Sequence, residues 1–200
     1  MSPRKDVSEE RKDQILTAAR KIFSEVGFHK ARMADIAETS GLSKGSLYWY
    51  FENKNAIIIH LLDRIFEPEL RDLRKLVDDD RPALVRLEAY LDRVIQDMEN
   101  MIHWMPLAYD FISLAFRQPA VQQAISNYYQ QNLDILVPII QEGIDSGEIQ
   151  ASSAEEAAIA VGAIIEGTAV LWVYDSEGID VSRHIRSSMQ ILLQGLQVDQ

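Results

Sequence analysis

The segment Gly41–Phe51 constrains this chain most, because on a short helix its side chains separate onto two chemically different faces. Ser43 is a residue type that favours helix N-caps, so a helix is predicted to start directly after it. At about 100° per residue, one face then carries Leu47, Tyr50 and Phe51. This face is predicted to be buried.

The opposite face of the same helix is predicted to meet another molecule. It carries Gly45 and Trp49, flanked by Ser46 and Tyr48. A tryptophan opposite the buried face of a short helix is typical of a contact surface. Gly45 lets a partner approach the backbone closely, and Lys44 in the first turn suits a partner that carries phosphates.

The residues before this helix complete a predicted helix-turn-helix. Residues 33–39 have apolar side chains at helical spacing, and residues 40–43 form a turn of the right length. Gly41 suits a left-handed backbone conformation after the first helix. A short turn with glycine is characteristic of this motif, whose second helix enters the major groove of DNA. The alternative is that these two helices only pack together and do not bind DNA.

The same region resembles the N-terminal DNA-binding domain of the TetR/AcrR family of bacterial repressors. The resemblance covers roughly residues 10–57, while the remaining residues resemble the family in length and helical character. Its residues agree with the family in type and spacing: Ile15-Leu16, Ala18-Ala19, Ile22-Phe23, Gly27-Phe28, Ile36-Ala37, the whole segment 41–51, and Lys54.

The resemblance implies a homodimeric regulator with a DNA-binding domain, residues 1–53, and a ligand-binding and dimerisation domain, residues 54–200. The expected partners are double-stranded operator DNA of near-palindromic sequence, a second copy of the chain and a small lipophilic ligand. No cofactor, metal or membrane is expected. The resemblance implies that Trp49 packs on base edges and that phosphates are held by Lys44, Tyr48, Tyr50 and Lys54. The predicted DNA-binding set also includes Gly45, Ser46 and Arg32.

One departure from the family's pattern concerns the start of the second helix. The family usually has two hydroxyl residues there, one as the helix cap and one against a DNA phosphate. This chain has Ala31 and Arg32 instead. Loss of the cap is expected to cost about 1 kcal/mol. Arg32 either replaces the phosphate contact or reaches a guanine edge, with a solvated arginine as the alternative.

The charge distribution agrees with DNA binding, although the net charge is −11. Residues 1–54 contain 10 Lys and Arg against 8 Asp and Glu, whereas residues 55–200 contain 10 against 23. The basic groups therefore concentrate in the predicted DNA-binding domain. The chain has no cysteine, and its polar N-terminus shows no signal peptide, so a cytoplasmic location is expected.

Apolar periodicity predicts an all-α fold of about nine helices, without strand-like alternation. A basic arm, residues 1–7, is predicted to precede a first helix that Ser8 caps and Gly27 stops. Val26 is predicted to face inward on that helix. Pro68 is predicted either to kink the fourth helix or to end it.

Residues 157–174 form an apolar run with a single charge, Glu166. The length suits a membrane span, but the central charge, the abundant Ala and Gly and the acidic flanks favour a buried helix. Small residues also let another helix approach closely. The predicted dimer interface combines this helix with the last one, through Gly162, Ala163, Gly167, Ile185, Met189 and Leu192.

The predicted ligand site is rich in methionine and aromatic side chains, which suit varied apolar molecules. It comprises Phe66, Met98, Met101, Trp104, Met105, Tyr109, Phe111, Phe116, Tyr128 and Glu166. Asp110 and Glu166 lie in segments without Lys or Arg. An unpaired carboxylate beside aromatic rings favours a cationic or polar-headed ligand. The alternatives are a solid hydrophobic core and, for Glu166, a hydrogen bond at the dimer interface.

An enzyme is not predicted, because the four histidines lack metal-ligand spacing and the chain has no phosphate-binding glycine loop or nucleophile elbow. The sequence instead predicts a ligand-responsive transcriptional repressor that a small lipophilic inducer releases from its operator. The alternative is a DNA-binding dimer whose C-terminal domain engages a protein partner.

Overall fold

The computed structural model describes residues 3–101 and 105–196 of the chain. These residues form nine α-helices and no β-strand, which confirms the predicted all-α fold. The helices are α1 (Pro3–Lys30), α2 (Met33–Thr39), α3 (Lys44–Tyr50), α4 (Lys54–Arg74), α5 (Ala83–Met101), α6 (Met105–Ala115), α7 (Pro119–Ser146), α8 (Ala154–Tyr174) and α9 (Val181–Leu196).

The helix-turn-helix belongs to the first of two compact units, which contains the described residues up to 66 together with 105–126. The core of this unit joins α1, α2 and α3 to α6. Ile15, Ile36 and Leu47 are fully buried, and the ring of Phe23 lies 6.4 Å from that of Phe111. Burial of each such side chain contributes roughly 1.5–3 kcal/mol, so this apolar core holds α3 in place.

The second unit contains residues 67–101 and 127–196. Within it, α9 packs on α5 and on α8. This division differs from the predicted one, because residues 54–66 and 105–126 group with the helix-turn-helix by packing. The boundary after residue 53 therefore remains a prediction about function.

Helix α1 differs from its prediction at its first turn. It begins at Pro3, so residues 3–7 are helical and Ser8 lies inside the helix. The predicted cap at Ser8 is wrong. The break at Gly27 is confirmed, since this glycine has φ 76° and ψ 156° and only a short helical turn follows it. Val26, predicted to face inward, is 44% exposed.

Helix α4 continues through Pro68 without ending. The prediction that Pro68 ends the helix is therefore wrong. Asn53 precedes α4 as expected of a cap, because its Oδ1 accepts the Ala56 N–H at 3.0 Å. The boundary between the two compact units follows Phe66, two residues before this proline.

Candidate nucleic-acid interface and ligand site

Helix α3 is anchored through the face that its sequence predicts. Leu47 and Phe51 are almost fully buried, at 0% and 1% exposure, and Tyr50 is half-buried against the same core. The N-terminus of the helix is capped as predicted, because Ser43 Oγ accepts the Ser46 N–H at 3.1 Å. Burial and the cap together fix the side of α3 that faces solvent.

That outward side of α3 holds two exposed aromatic residues. Trp49 is 74% exposed and Tyr48 is 52% exposed. The Trp49 ring contacts the Tyr50 ring edge to face, with centroids 4.6 Å apart, so the indole packs against a half-buried neighbour. An indole exposed to this degree on an anchored helix is an available contact group.

The turn between α2 and α3 has the predicted backbone. Gly41 has φ 68°, in the left-handed region, and donates its N–H to Glu38 O at 3.0 Å. The next residue, Leu42, donates to Ala37 O at 2.9 Å. Gln14 of α1 donates its side-chain amide to Ser40 O, which ties the turn to the first helix. This contact has no signal in the local sequence, because it joins residues 26 positions apart.

Lys54 is held by backbone carbonyls of its own chain, and its predicted role as a phosphate ligand remains a prediction. Its Nζ donates to Phe28 O and Ala31 O, both at 2.7 Å, and to His29 O at 3.4 Å. It also lies 4.4 Å from the centre of the Phe28 ring. Burial lowers the pKa of this ammonium. Because its three N–H bonds point to backbone carbonyls, Lys54 joins the start of α4 to the end of α1.

A hollow of about 460 Å³ lies beside α2 and α3. Its lining includes four residues of the predicted DNA-binding set, Arg32, Lys44, Tyr48 and Lys54, together with His29. Lys44, Gly45 and Ser46 are exposed at the start of α3. The structure thus brings much of the predicted set to one side of the first unit, and the roles of these residues remain predictions.

The N-terminus of α2 has a hydrogen bond to an aspartate side chain in place of the usual hydroxyl cap. Arg32 occupies the cap position, and its backbone N–H donates to Asp35 Oδ2 at 3.1 Å. The Arg32 Nε–H donates to the same oxygen at 3.2 Å. These hydrogen bonds lower the pKa of the Asp35 carboxyl. Asp35 therefore replaces part of the expected cap.

The predicted ligand set is divided between the two compact units. Phe66, Tyr109, Phe111 and Phe116 belong to the first, and Met98, Met101, Tyr128 and Glu166 to the second. Phe111 is 2% exposed within the core, whereas Phe116 is 86% exposed, and their role in ligand binding remains a prediction. Asp110, predicted to be embedded, is also exposed. Trp104 and the side chain of Met105 lie outside the described residues.

The second unit contains a buried acidic residue that the sequence-based prediction missed. Glu69 of α4 is 9% exposed, and Tyr128 of α7 donates its hydroxyl to Glu69 Oε1 at 3.1 Å. Burial raises the pKa of Glu69 to about 7, with a smaller contribution from the negative charges of Asp97 and Glu166. The signal was present, because Glu69 lies four residues after Ile65 and four before Leu73 on the inner side of α4.

The groups around Glu69 provide little neutralising charge. Arg93 is close, but its guanidinium is shared between Asp97 at 2.8 Å and Asp72 at 3.2 Å. Tyr90 is buried and donates its hydroxyl to Asn132 Oδ1 at 2.8 Å. Glu166 of α8 is exposed in the single chain, yet the protein around it still raises the pKa of its carboxyl by desolvation.

Helix α8 has a buried side and an exposed apolar side. Ala158, Val161 and Ile165 are buried, whereas Ile159, Leu171 and Tyr174 are 43%, 51% and 77% exposed. A side chain added at Gly162 or Gly167 would meet no atom within 4 Å. Ala163 is also exposed. The exposed small residues agree with the predicted dimer interface, which remains a prediction.

Helix α9 requires a correction to that predicted interface. Ile185 and Met189 are 0% and 2% exposed, so they pack inside their own chain, and Leu192 is half-buried. Ile191 of α9 is apolar and 70% exposed. Among the described residues, α8 is the helix that is long and apolar enough to cross a membrane, a property that core helices of water-soluble proteins share.

Comparison with known proteins identifies the family. Residues 15–61 match the family of bacterial regulatory proteins called tetR, and residues 83–195 match the C-terminal part of BetI-type transcriptional repressors. The chain belongs to the TetR family. Its relatives are transcriptional regulators, so this TetR-family member is a DNA-binding transcriptional regulator.

One relative of this TetR-family regulator is the fatty acid metabolism regulator protein of Bacillus subtilis. The two are 28% identical over 191 residues, which cover 92% of this chain and 94% of the relative. The structure of FadR from Bacillus subtilis in complex with stearoyl-CoA is similar, with a TM-score of 0.77 and 25% identity, covering 91% and 97% of the two chains. A TetR regulator from Haloarcula marismortui shares the fold, with a TM-score of 0.83, 17% identity and coverage of 95% and 100%.

Proposed function

We propose that this regulator is a repressor that binds a near-palindromic operator as a homodimer in the cytoplasm and leaves it when a small lipophilic inducer binds. The observation that carries the DNA-reading part is Trp49, which is 74% exposed on a helix whose other side is locked in the core. Such an indole can pack against a thymine methyl in the major groove. Lys44 and Tyr48, beside the same hollow, can hold backbone phosphates.

The test starts from duplexes that the parent protein selects from a randomised DNA pool. Trp49→Ala should reduce the preference of the protein for selected over random duplexes. Lys44→Gln should instead weaken both kinds of duplex alike and lower the slope of log affinity against log salt by about 0.9 per lost phosphate contact. Unchanged affinities of Trp49→Ala for both kinds of duplex would remove the tryptophan from the interface.

The presence of a single α3 in each chain supports a homodimer. One α3 covers half a site, and a two-fold axis supplies the second half roughly 34–36 Å away, or a multiple of that spacing. The exposed side of α8, which includes Ile159, Ala163 and Leu171, fits a second copy of the same helix because Glu166 is its single charge between residues 159 and 174. Ile191 of α9 is a further exposed apolar residue of the same unit.

The inducer site belongs to the second unit in this proposal. The relative that binds stearoyl-CoA supports a lipophilic ligand. The buried pair of Glu69 and Tyr128, with Glu166 close enough to raise the pKa of Glu69, supports a cationic or polar head group. A carboxylate that lacks a full countercharge is costly to bury, and a ligand cation would offset that cost.

Release from a selected duplex tests the inducer. The probes are octyltrimethylammonium, octan-1-ol and octanoate, which share one chain length, and stearoyl-CoA as the ligand of the relative. We expect octyltrimethylammonium to release the parent at lower concentration than octan-1-ol does, and Glu166→Gln to reduce that difference. Equal release of parent and variant by all probes would make Glu166 structural. Release by none would favour a protein partner for the second unit.

A further inference from the structure

The start of α2 presents an arginine that its own helix orients. One carboxylate oxygen, Asp35 Oδ2, accepts both the backbone N–H of Arg32 at 3.1 Å and its Nε–H at 3.2 Å. In turn, Asp35 donates its backbone N–H to Arg32 O at 3.0 Å. The side chain of Arg32 is nevertheless 79% exposed. Asp35 therefore orients the guanidinium through Nε, and the four N–H bonds of its two terminal nitrogens are accessible to a partner.

The position of this pair places it with the residues that face DNA in the proposed function. Arg32 lines the same hollow as Lys44 and Tyr48, and Met33 and Ala34 of the first turn of α2 line it as well. Arg32 is thus an exposed cation that flanks α3 on the side where α3 begins.

The pairing with Asp35 distinguishes two roles for the arginine. A phosphate contact depends mainly on net positive charge, which the adjacent carboxylate offsets. A base contact depends on the direction of the N–H bonds, which the same carboxylate fixes. An arginine that its neighbour orients and partly neutralises suits a base edge better than a phosphate.

We propose that Arg32 reads a guanine edge in each half-site and that Asp35 is its positioning residue. This inference rests on the proposed DNA-binding function and assigns one determinant of its sequence specificity. A bidentate arginine on the O6 and N7 atoms of guanine discriminates against other bases by about 5- to 150-fold. The pair would therefore account for a guanine preference outside the bases that Trp49 contacts.

The experiment compares full-length variants on a randomised pool of duplexes and then on single selected duplexes. Arg32→Gln should lose a guanine preference at one symmetric pair of positions, by about 5-fold or more, while the salt slope changes little. Asp35→Asn keeps an oxygen that can accept the Arg32 backbone N–H but removes the charge. It should lower the same preference while raising affinity for random DNA. Glu38→Gln, exposed on the same helix, is the control for charge alone.

Three outcomes would overturn the inference. A fall of about 2 in the salt slope of the Arg32→Gln dimer, with unchanged base preference, would make Arg32 a phosphate ligand. Unchanged slope and preference would make it a solvated side chain. A parent protein that selects no sequence from the pool would overturn the proposed function as well, which separates that failure from the other two. Thermal melting of each variant checks that the fold is retained.

Discussion

Gly45 is a residue at which folding and binding favour different side chains. A methyl group at this position would come no closer than 3.9 Å to another side chain, that of Ser43, and the backbone does not have a positive φ. Alanine should therefore raise the free energy of unfolding, by up to about 1 kcal/mol, because it favours helix more than glycine does. The absence of a side chain is useful only if another molecule approaches the backbone.

We accordingly expect Gly45→Ala to bind selected duplexes more weakly while it unfolds at the same or higher urea concentration. Urea unfolding and duplex titration of the same preparation measure both effects. Thr17→Ala, exposed on α1, is the control for a helix-surface alanine. Parent-like affinity of Gly45→Ala would show that DNA does not approach α3 at this point.

Glu69 gives the second prediction at this scale, through the pH dependence of stability. Its pKa is about 7 in the folded chain against an ordinary value of 4.5, so the folded state holds a proton that the unfolded state releases between these values. The contribution of Glu69 to stability is therefore full below pH 4.5 and is lost as pH rises through 7. The loss is on the order of 3 kcal/mol.

Glu69→Gln removes this titration. The difference in unfolding free energy between variant and parent should shift in favour of the variant as pH rises from 5 to 8, as measured by urea unfolding at both values. Glu88→Gln, exposed on α5, should show a constant difference. A constant difference for Glu69→Gln too would mean that the carboxylate is solvated in the folded protein.

At the scale of the helical element, the local sequence correctly predicted the buried face, the cap and the preceding turn of α3. Leu47 and Phe51 follow from helical periodicity, and Ser43 and Gly41 follow from capping and turn chemistry, all of which act over a few residues. Lys54 could not be assigned in this way. Its acceptors lie 23 to 26 residues earlier, and only folding brings them to its ammonium. The start of α1 was missed because Ser8 is a good cap type and the helix extends past it.

The structural role of Lys54 predicts a separation between stability and DNA affinity. Lys54→Met keeps much of the apolar stem but leaves the carbonyls of Phe28 and Ala31 without their donor. The free energy of unfolding should fall by roughly 1–2 kcal/mol. Lys44→Met, on the exposed first turn of α3, should leave stability unchanged and weaken DNA binding. If the two variants behave alike in urea unfolding, the contacts of Lys54 do not stabilise the first unit.

At the scale of the whole molecule, charge and symmetry decide how the protein can act. Residues 55–200 contain 10 Lys and Arg against 23 Asp and Glu, so only the first part of the chain favours a polyanion. Two such parts bound side by side double the number of phosphate contacts and hence the salt slope. In the proposed function, pairing of two chains through α8 and α9 is therefore the step on which operator affinity depends.

The final prediction concerns this pairing. Gly167→Trp fits the single chain, because no atom lies within 4 Å of the added Cβ, and Ile191→Glu replaces a side chain that is 70% exposed. Both should therefore fold as the parent does, whereas a paired chain would meet a bulky ring or a buried charge. We expect monomers by analytical ultracentrifugation and loss of binding to full duplex sites. Val85→Glu, an equivalent change at an exposed apolar residue of α5, should remain dimeric. Intact dimers of both α8 and α9 variants would place the two-fold axis elsewhere on the chain.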